Sequence, residues 1–208
     1  MLSDGILSRL EGAAMLNVGS GPSAYAFDYE AADVNGINLA MTPSDFSLEK
    51  ALLEASEGGK LPVLCDQSPC LHRMKKRLKG LELYEPAGFI SRFLVPRLEF
   101  TPDDVPVLVH LTCSSRLMGV EKDLLRLARM CSSDVRVPEG VGCCGFAGDK
   151  GMTHPELNAW SLRKLRAQAE GIPAGYSNSR TCEIGLETNS GVPYMSIVYL
   201  VNSHTRNK

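Results

Sequence analysis

No stretch of this chain is apolar for long enough to span a bilayer as a helix, which takes roughly 20 residues. The first ten residues include Asp4 and lack a basic start followed by a long apolar run, so no secretory signal is expected. Charge of one sign is also missing: 22 basic against 24 acidic residues leave a formal net charge of −2. That balance gives no general attraction to nucleic acid or to acidic membranes. The single basic cluster, His72 to Arg77, reads as the solvated face of a helix. There is no low-complexity segment, Walker loop, Ser-His-Asp order, His-Glu-x-x-His or Cys-x-x-Cys-x-x-Cys run. Gly19-Ser20-Gly21-Pro22 follows no clear strand and reads as a turn rather than a phosphate loop.

Cysteine, by contrast, is plentiful: Cys65, Cys70, Cys113, Cys131, Cys143, Cys144 and Cys182. Their number is odd and no export signal accompanies them, which argues against a disulfide framework and for reduced thiols in a cytoplasmic setting. Clustered thiols there indicate metal or redox chemistry, or simply small apolar fillers of a core. Cys131 ends the apolar helix pattern Leu124, Leu125, Leu127, Ala128 and reads as core. Cys65 and Cys70 read as packing residues or neighbours of a main site, with a redox pair as the other reading.

The hydrophobic pattern predicts strands alternating with helices, hence α/β layering with short parallel sheets flanked by helices. A helix is expected over 1–15, another from Ser44 or Asp45 to about Ser56, and a third from Ser68-Pro69 to about Leu78. Strands are expected at Leu61 to Cys65, Leu81 to Tyr84, Val105 to Leu111, Asp134 to Val137 and Ala174 to Tyr176. Helices are expected from Pro86, over Val120 to Cys131, over Pro155 to Glu170, near Cys182, and over Ser196 to His204. A faint repeat relates Ser47 through Cys70 to Ser161 through Cys182. It predicts two pseudo-repeated, Rossmann-like halves, 45–104 and 105–208, after a poorly legible segment 1–44.

Gly142-Cys143-Cys144-Gly145 is the most informative local feature. Adjacent cysteines strain any bond between themselves, yet both can ligate a multi-iron cluster. Gly142, Gly145 and Gly148 allow tight turns, and successive backbone N–H groups in such a loop favour an anionic centre. Cys113 and Cys182 follow strands, where ligands collect in parallel sheets. Together the four cysteines form a candidate ligand set for an iron–sulfur cluster of the 4Fe-4S type. A structural zinc ion and unligated thiols remain alternatives, although zinc sites prefer cysteines two to four residues apart. Ser114, Ser115, Ser179 and Thr181 can donate to sulfur, and Arg116 and Arg180 can offset charge; ordinary capping is the competing reading. His110 reads as a satisfied buried histidine, and His154 as a helix-start residue.

At these positions the chain resembles a known family. Leu111-Thr112-Cys113-Ser114-Ser115, Gly142-Cys143-Cys144-Gly145-Phe146-Ala147-Gly148-Asp149 and Ser177 through Gly185 are similar to the cysteine-rich Cys-Cys-Gly domain found in heterodisulfide reductases and in the iron–sulfur subunits of glycolate oxidases. Pro62 through Cys70 and Thr181-Cys182-Glu183-Ile184-Gly185 resemble the C-terminal region of FAD-linked, cytochrome-type D-lactate dehydrogenases. The resemblance implies an electron relay from a flavin domain, absent from this chain, towards quinone or cytochrome. It implies a C-terminal fragment or separate subunit, with no nucleic acid, no membrane span, and a cytoplasmic location, peripheral to the inner membrane through partners. Ser179 stands where heterodisulfide reductases carry a further cysteine, and the first half has no Cys-Cys-Gly of its own. A single four-cysteine site follows, rather than a five-cysteine one. A zinc-bound or metal-free docking scaffold and a thiol–disulfide reductase using Cys65 or Cys70 are the alternative functions.

Overall fold

Val107-Leu108-Val109 carries no polar side chain, and a strand of that kind is stable only when both its faces are covered. In the computed structural model, which describes residues 43–148 and 150–208, this segment is the buried inner strand of a four-stranded sheet. The expected helix over 1–15 and the turn at Gly19 lie outside the described residues.

The first half begins with α1 (Pro43–Ala55), β1 (Val63–Leu64), α2 (Ser68–Arg77) and β2 (Leu83–Tyr84). Strands β1 and β2 pair in parallel, and Leu52, Leu71, Met74, Leu78 and Leu83 form a small core around them. Lys75 and Lys76 of α2 are exposed, as expected for the wet face of a helix. Helix α3 (Pro86–Phe89) widens into a π-type turn over Ile90–Leu94 and tightens over Val95–Arg97. The chain then makes β3 (Leu98–Phe100), which pairs antiparallel with the last strand, β8 (Thr205–Asn207). Sequence periodicity does not reveal that pair, because each strand has only three residues and little alternation.

The second half holds β4 (Val107–Val109), α4 (Cys113–Met118), α5 (Glu121–Cys131) and β5 (Val135–Arg136). Next come α6 (Lys150–Thr153), α7 (Pro155–Ser161), α8 (Leu165–Ala169), β6 (Ala174–Ser177), α9 (Arg180–Ser190), β7 (Tyr194–Ser196) and α10 (Ile197–Ser203). The sheet order is β5-β4-β6-β7, and every pairing is parallel. The single helix expected from Pro155 to Glu170 is two helices. A tight turn, with Leu165 N–H donating to the Leu162 carbonyl at 2.8 Å, separates them and buries both leucines.

The sheet is sandwiched. Val107, Val109, Leu111 and Tyr176 face a core with Leu124, Leu127, Cys131, Ile197 and Val201. Leu108 faces the other core, with Val141, Cys144, Phe146, Leu165, Cys182 and Tyr194. Cys131 is fully buried, as its helical position predicts. Among the described residues the first half holds a two-stranded parallel sheet and the second a four-stranded one, so the α/β class with short parallel sheets holds.

Candidate thiol centre

Strand β4 leads through α5 to β5 on one side of it, whereas its neighbour β6 leads through α9 to β7 on the other. Crossovers that diverge from adjacent parallel strands leave a crevice at their carboxyl ends, where ligands of open α/β sheets bind. Cys113 is the first residue of α4, just past β4; Cys182 lies in the first turn of α9, just past β6. The loop after β5 brings Cys143 and Cys144 to the same crevice.

Three segments distant in sequence thus deliver four mutually contacting thiols. The Cys144 Sγ–H donates to Cys182 Sγ at 2.9 Å. Cys143 sulfur accepts from the Cys113 thiol and, at 3.3 Å, the Gly145 N–H, and it also lies against the Cys144 sulfur. The first of these contacts does most to pull the Cys143 thiol far below its ordinary value, and nearby His110 adds a smaller lowering. Donation from Cys144 is the main cause holding Cys182 low, with Ser179 hydroxyl adding to it. Cys113 and Cys144, the donors, are pushed up correspondingly. Lowered thiols, Cys143 and Cys182, therefore alternate with raised ones, Cys113 and Cys144, along the line of contacts. Cys144 and Cys182 are buried, while Cys113 and Cys143 are exposed, so the centre has a dry floor and an open mouth.

The loop conformation depends on glycine at specific points. Gly145 has φ +72°, and a Cβ there would sit 2.6 Å from both the Leu157 carbonyl oxygen and Ser161 Oγ of α7. Asn158 of α7 binds the Cys144 carbonyl through its side-chain amide and fastens the loop from beneath. Gly148 also has positive φ. Gly142 has open space about it, so its freedom lets Cys143 shift rather than meeting a close approach. The backbone donors to sulfur are Ser114 to Cys113, Gly145 to Cys143 and Phe146 to Cys144.

Several expected partners act elsewhere. The Ser114 hydroxyl bonds Ser68 Oγ at 2.7 Å, and Ser115 joins Thr112 and Asn178. The Arg180 guanidinium is exposed and pairs with Glu183 at 3.3 Å, rather than lying on the sulfurs. His154 is exposed and pairs with Glu156, consistent with a helix-start role. Asp149 lies outside the described residues. His110 departs from expectation: buried at 1 % exposure, it has only a long 3.5 Å contact from Nδ1 to Ser177 Oγ, and its Nε2 has no partner. Burial pushes the Cys65 thiol up to about 12 and also raises Cys70, so neither is poised as a thiolate.

A buried polar network beside the thiols is not foreseen from the sequence. Asn178 donates to Glu85 Oε2 and to Ser115 Oγ, while Thr112 Oγ1 donates to Asn178 Oδ1 at 3.0 Å. Ser68 closes the network on Thr112, Ser114 and Ser115. A signal for it exists: Ser68, Thr112 and Asn178 each stand just after a strand, in the same loops as cysteines.

Four convergent sulfurs are soft donors suited to a thiolate-held metal group. Any thiolate-held metal, a single ion or a cluster, needs these sulfurs to part. Zn–S bonds of about 2.3 Å require sulfurs roughly 3.8 Å apart, and Cys144 and Cys182 are closer. Among the described residues, no three His, Cys, Asp or Glu side chains surround one ion-sized point. A larger group would seat itself by parting sulfurs that already meet at an open mouth, next to glycines and an unpartnered buried N atom. Comparison with protein-family models and with curated proteins finds no match to this chain.

Proposed function

We propose that this chain is the iron–sulfur electron-transfer part of an FAD-linked D-lactate, or related D-2-hydroxy acid, dehydrogenase. One observation carries the reading: Cys113, Cys143, Cys144 and Cys182, from three separate loops, meet at the carboxyl edge of a parallel sheet. The resemblance of the Cys-Cys-Gly and Thr-Cys-Glu-Ile-Gly segments supplies the dehydrogenase context. A bound 4Fe-4S group would supply reversible one-electron chemistry.

The chain's own residues account for the rest of the site. The four sulfurs are the ligands. N–H groups of Ser114, Gly145 and Phe146 stabilise negative charge on them, as fixed backbone dipoles do at anionic centres. Cys144 and Cys182 lie on the side shielded from water, and exposed Cys113 and Cys143 form the edge through which electrons enter or leave. Exposed Leu117, Met152, Leu157, Trp160 and Ile184 lie on the helices that carry or follow these cysteines. Exposed apolar side chains on these helices are the surface that a flavin-bearing domain or a quinone- or cytochrome-linked acceptor would use. Among the described residues no helix is long and apolar enough to cross a membrane, so association with one would run through partners.

Anaerobic purification followed by iron and acid-labile sulfide analysis tests the proposal. Iron with matching sulfide is expected, and Cys144→Ser should lose it. One zinc per chain, or a Cys144→Ser variant with its full iron complement, would refute the assignment.

A further inference from the structure

Strand β4 alternates its side chains: Val107, Val109 and Leu111 enter one core, and Leu108 enters the core that holds Cys144 and Cys182. His110 is in phase with Leu108. The ladder continues that far, because His110 N–H donates to the Tyr176 carbonyl at 2.9 Å. Its ring therefore lies on the thiol side of the sheet. Its charge interaction with Cys143 agrees with that placement.

A buried ring nitrogen without a partner is costly, and native proteins seldom leave one so. At the other end of the ring, the Ser177 hydroxyl faces two acceptors, the His110 carbonyl at 3.3 Å and Nδ1 at 3.5 Å. A hydroxyl proton shared between them leaves Nδ1 bare and the ring proton on Nε2. Beside anionic sulfur, an Nε2 lone pair would repel and an N–H would attract.

Building on the electron-transfer reading, we propose that His110 is a positioning residue, a neutral imidazole whose Nε2–H points from beneath into the sulfur centre and raises its reduction potential. Its Nδ1 is held as acceptor by Ser177. Burial pushes the His110 ring down to about 4, so it stays neutral through the physiological range. Hydrogen bonds to cluster sulfurs are among the protein's means of tuning potential.

Two measurements test this on the full chain. Nitrogen-15 NMR of the imidazoles, with His110 assigned by difference from His110→Gln, should show the proton on Nε2; a proton on Nδ1 would overturn the proposal whether or not metal is bound. In iron-loaded protein, His110→Leu should make one-electron reduction at least tenfold less favourable, a shift of about 59 mV. His110→Gln, which keeps a donor amide, should recover most of it. An unchanged potential in a His110→Leu chain with full iron content would also overturn it. If His110→Leu fails to fold, the tautomer in the native chain decides. Wild-type protein that takes up no iron defeats the electron-transfer reading, and the tautomer is then read on the metal-free chain.

Discussion

Cys144 is the most constrained of the sulfurs: it lies against two neighbouring sulfurs with one thiol proton to share, while its carbonyl is bound by Asn158. The Cys144 and Cys182 sulfurs lie 2.9 Å apart. Air oxidation of metal-free protein should therefore join these two, with loss of two hydrogens, before any other pair; adjacent Cys143 and Cys144 resist pairing because of backbone strain. Peptide mapping without reduction checks this, and a Cys143–Cys144 bond would contradict it. Glu85 offers a second prediction. Burial raises its carboxyl to about 7, against a lowering hydrogen bond from Asn178. Between its unfolded value and about 7, the folded state holds the proton more tightly. That contribution is complete below the unfolded value and is lost as pH rises through the folded one. Glu85→Gln removes the titration and keeps an oxygen for Asn178. It should therefore flatten the decline and stabilise the chain above pH 7 relative to wild type, by on the order of 2 kcal/mol. Urea melts at several pH values measure it, and parallel pH profiles for the two proteins would rule it out.

At the scale of elements, close approach governs more than propensity does. Strand β6 carries Gly175 where the Tyr194 ring of β7 lies across it, and a Cβ there would fall 2.3 Å from that ring. Tyr194 is fully buried and has no room to yield. Gly175→Ala should destabilise the chain by about 1–3 kcal/mol, the usual cost of overpacking. Because β6 leads directly to Cys182, iron occupancy should fall as well. The same reasoning at Gly145 predicts that Gly145→Ala lowers iron content with a smaller loss in melting temperature, since the clash is in a surface loop rather than the sheet. Iron assays beside thermal melts separate the two. The break between α7 and α8 fits this view: a helix pattern that reads as continuous is cut where burying both Leu162 and Leu165 requires a tighter turn.

Over the whole molecule, the two halves are joined by the β3–β8 pair, by the apolar core that packs Phe89, Ile90 and Leu98 against Leu124 and Ile197, and by the polar network of Glu85, Ser68, Thr112, Ser115 and Asn178, with Ser68 N–H also donating to the Asn178 carbonyl at 3.3 Å. Each loop in that network, except the one bearing Glu85, also carries a cysteine: Cys65 and Cys70 flank Ser68, Cys113 follows Thr112, and Cys182 lies shortly after Asn178. Asn178→Ala should cost about 1–3 kcal/mol, the penalty of stripping partners from buried groups. It should also raise exchange of the backbone amides in α2 and α4 together, measurable by hydrogen exchange. Exchange confined to α9 would show that the network does not couple α2 to α4. Much of this organisation is legible from residue order. The alternation of apolar runs, the Gly and Pro stops and the strand-end placement of Cys113 and Cys182 depend on local periodicity, and the α/β class with its parallel pairings follows from them. Short elements escape such a reading, since two- and three-residue strands such as β3 and β8 carry no period to detect. The partnerships of single polar atoms escape it too. Whether Ser114 turns to sulfur or to Ser68, whether Arg180 faces the thiols or Glu183, and whether His110 finds a partner depend on side chains separated by tens of residues. Local sequence encodes which residues reach the sheet's rim; their pairing there is a property of the packed chain alone, because hydrogen-bond geometry is set by distances that exist only after folding.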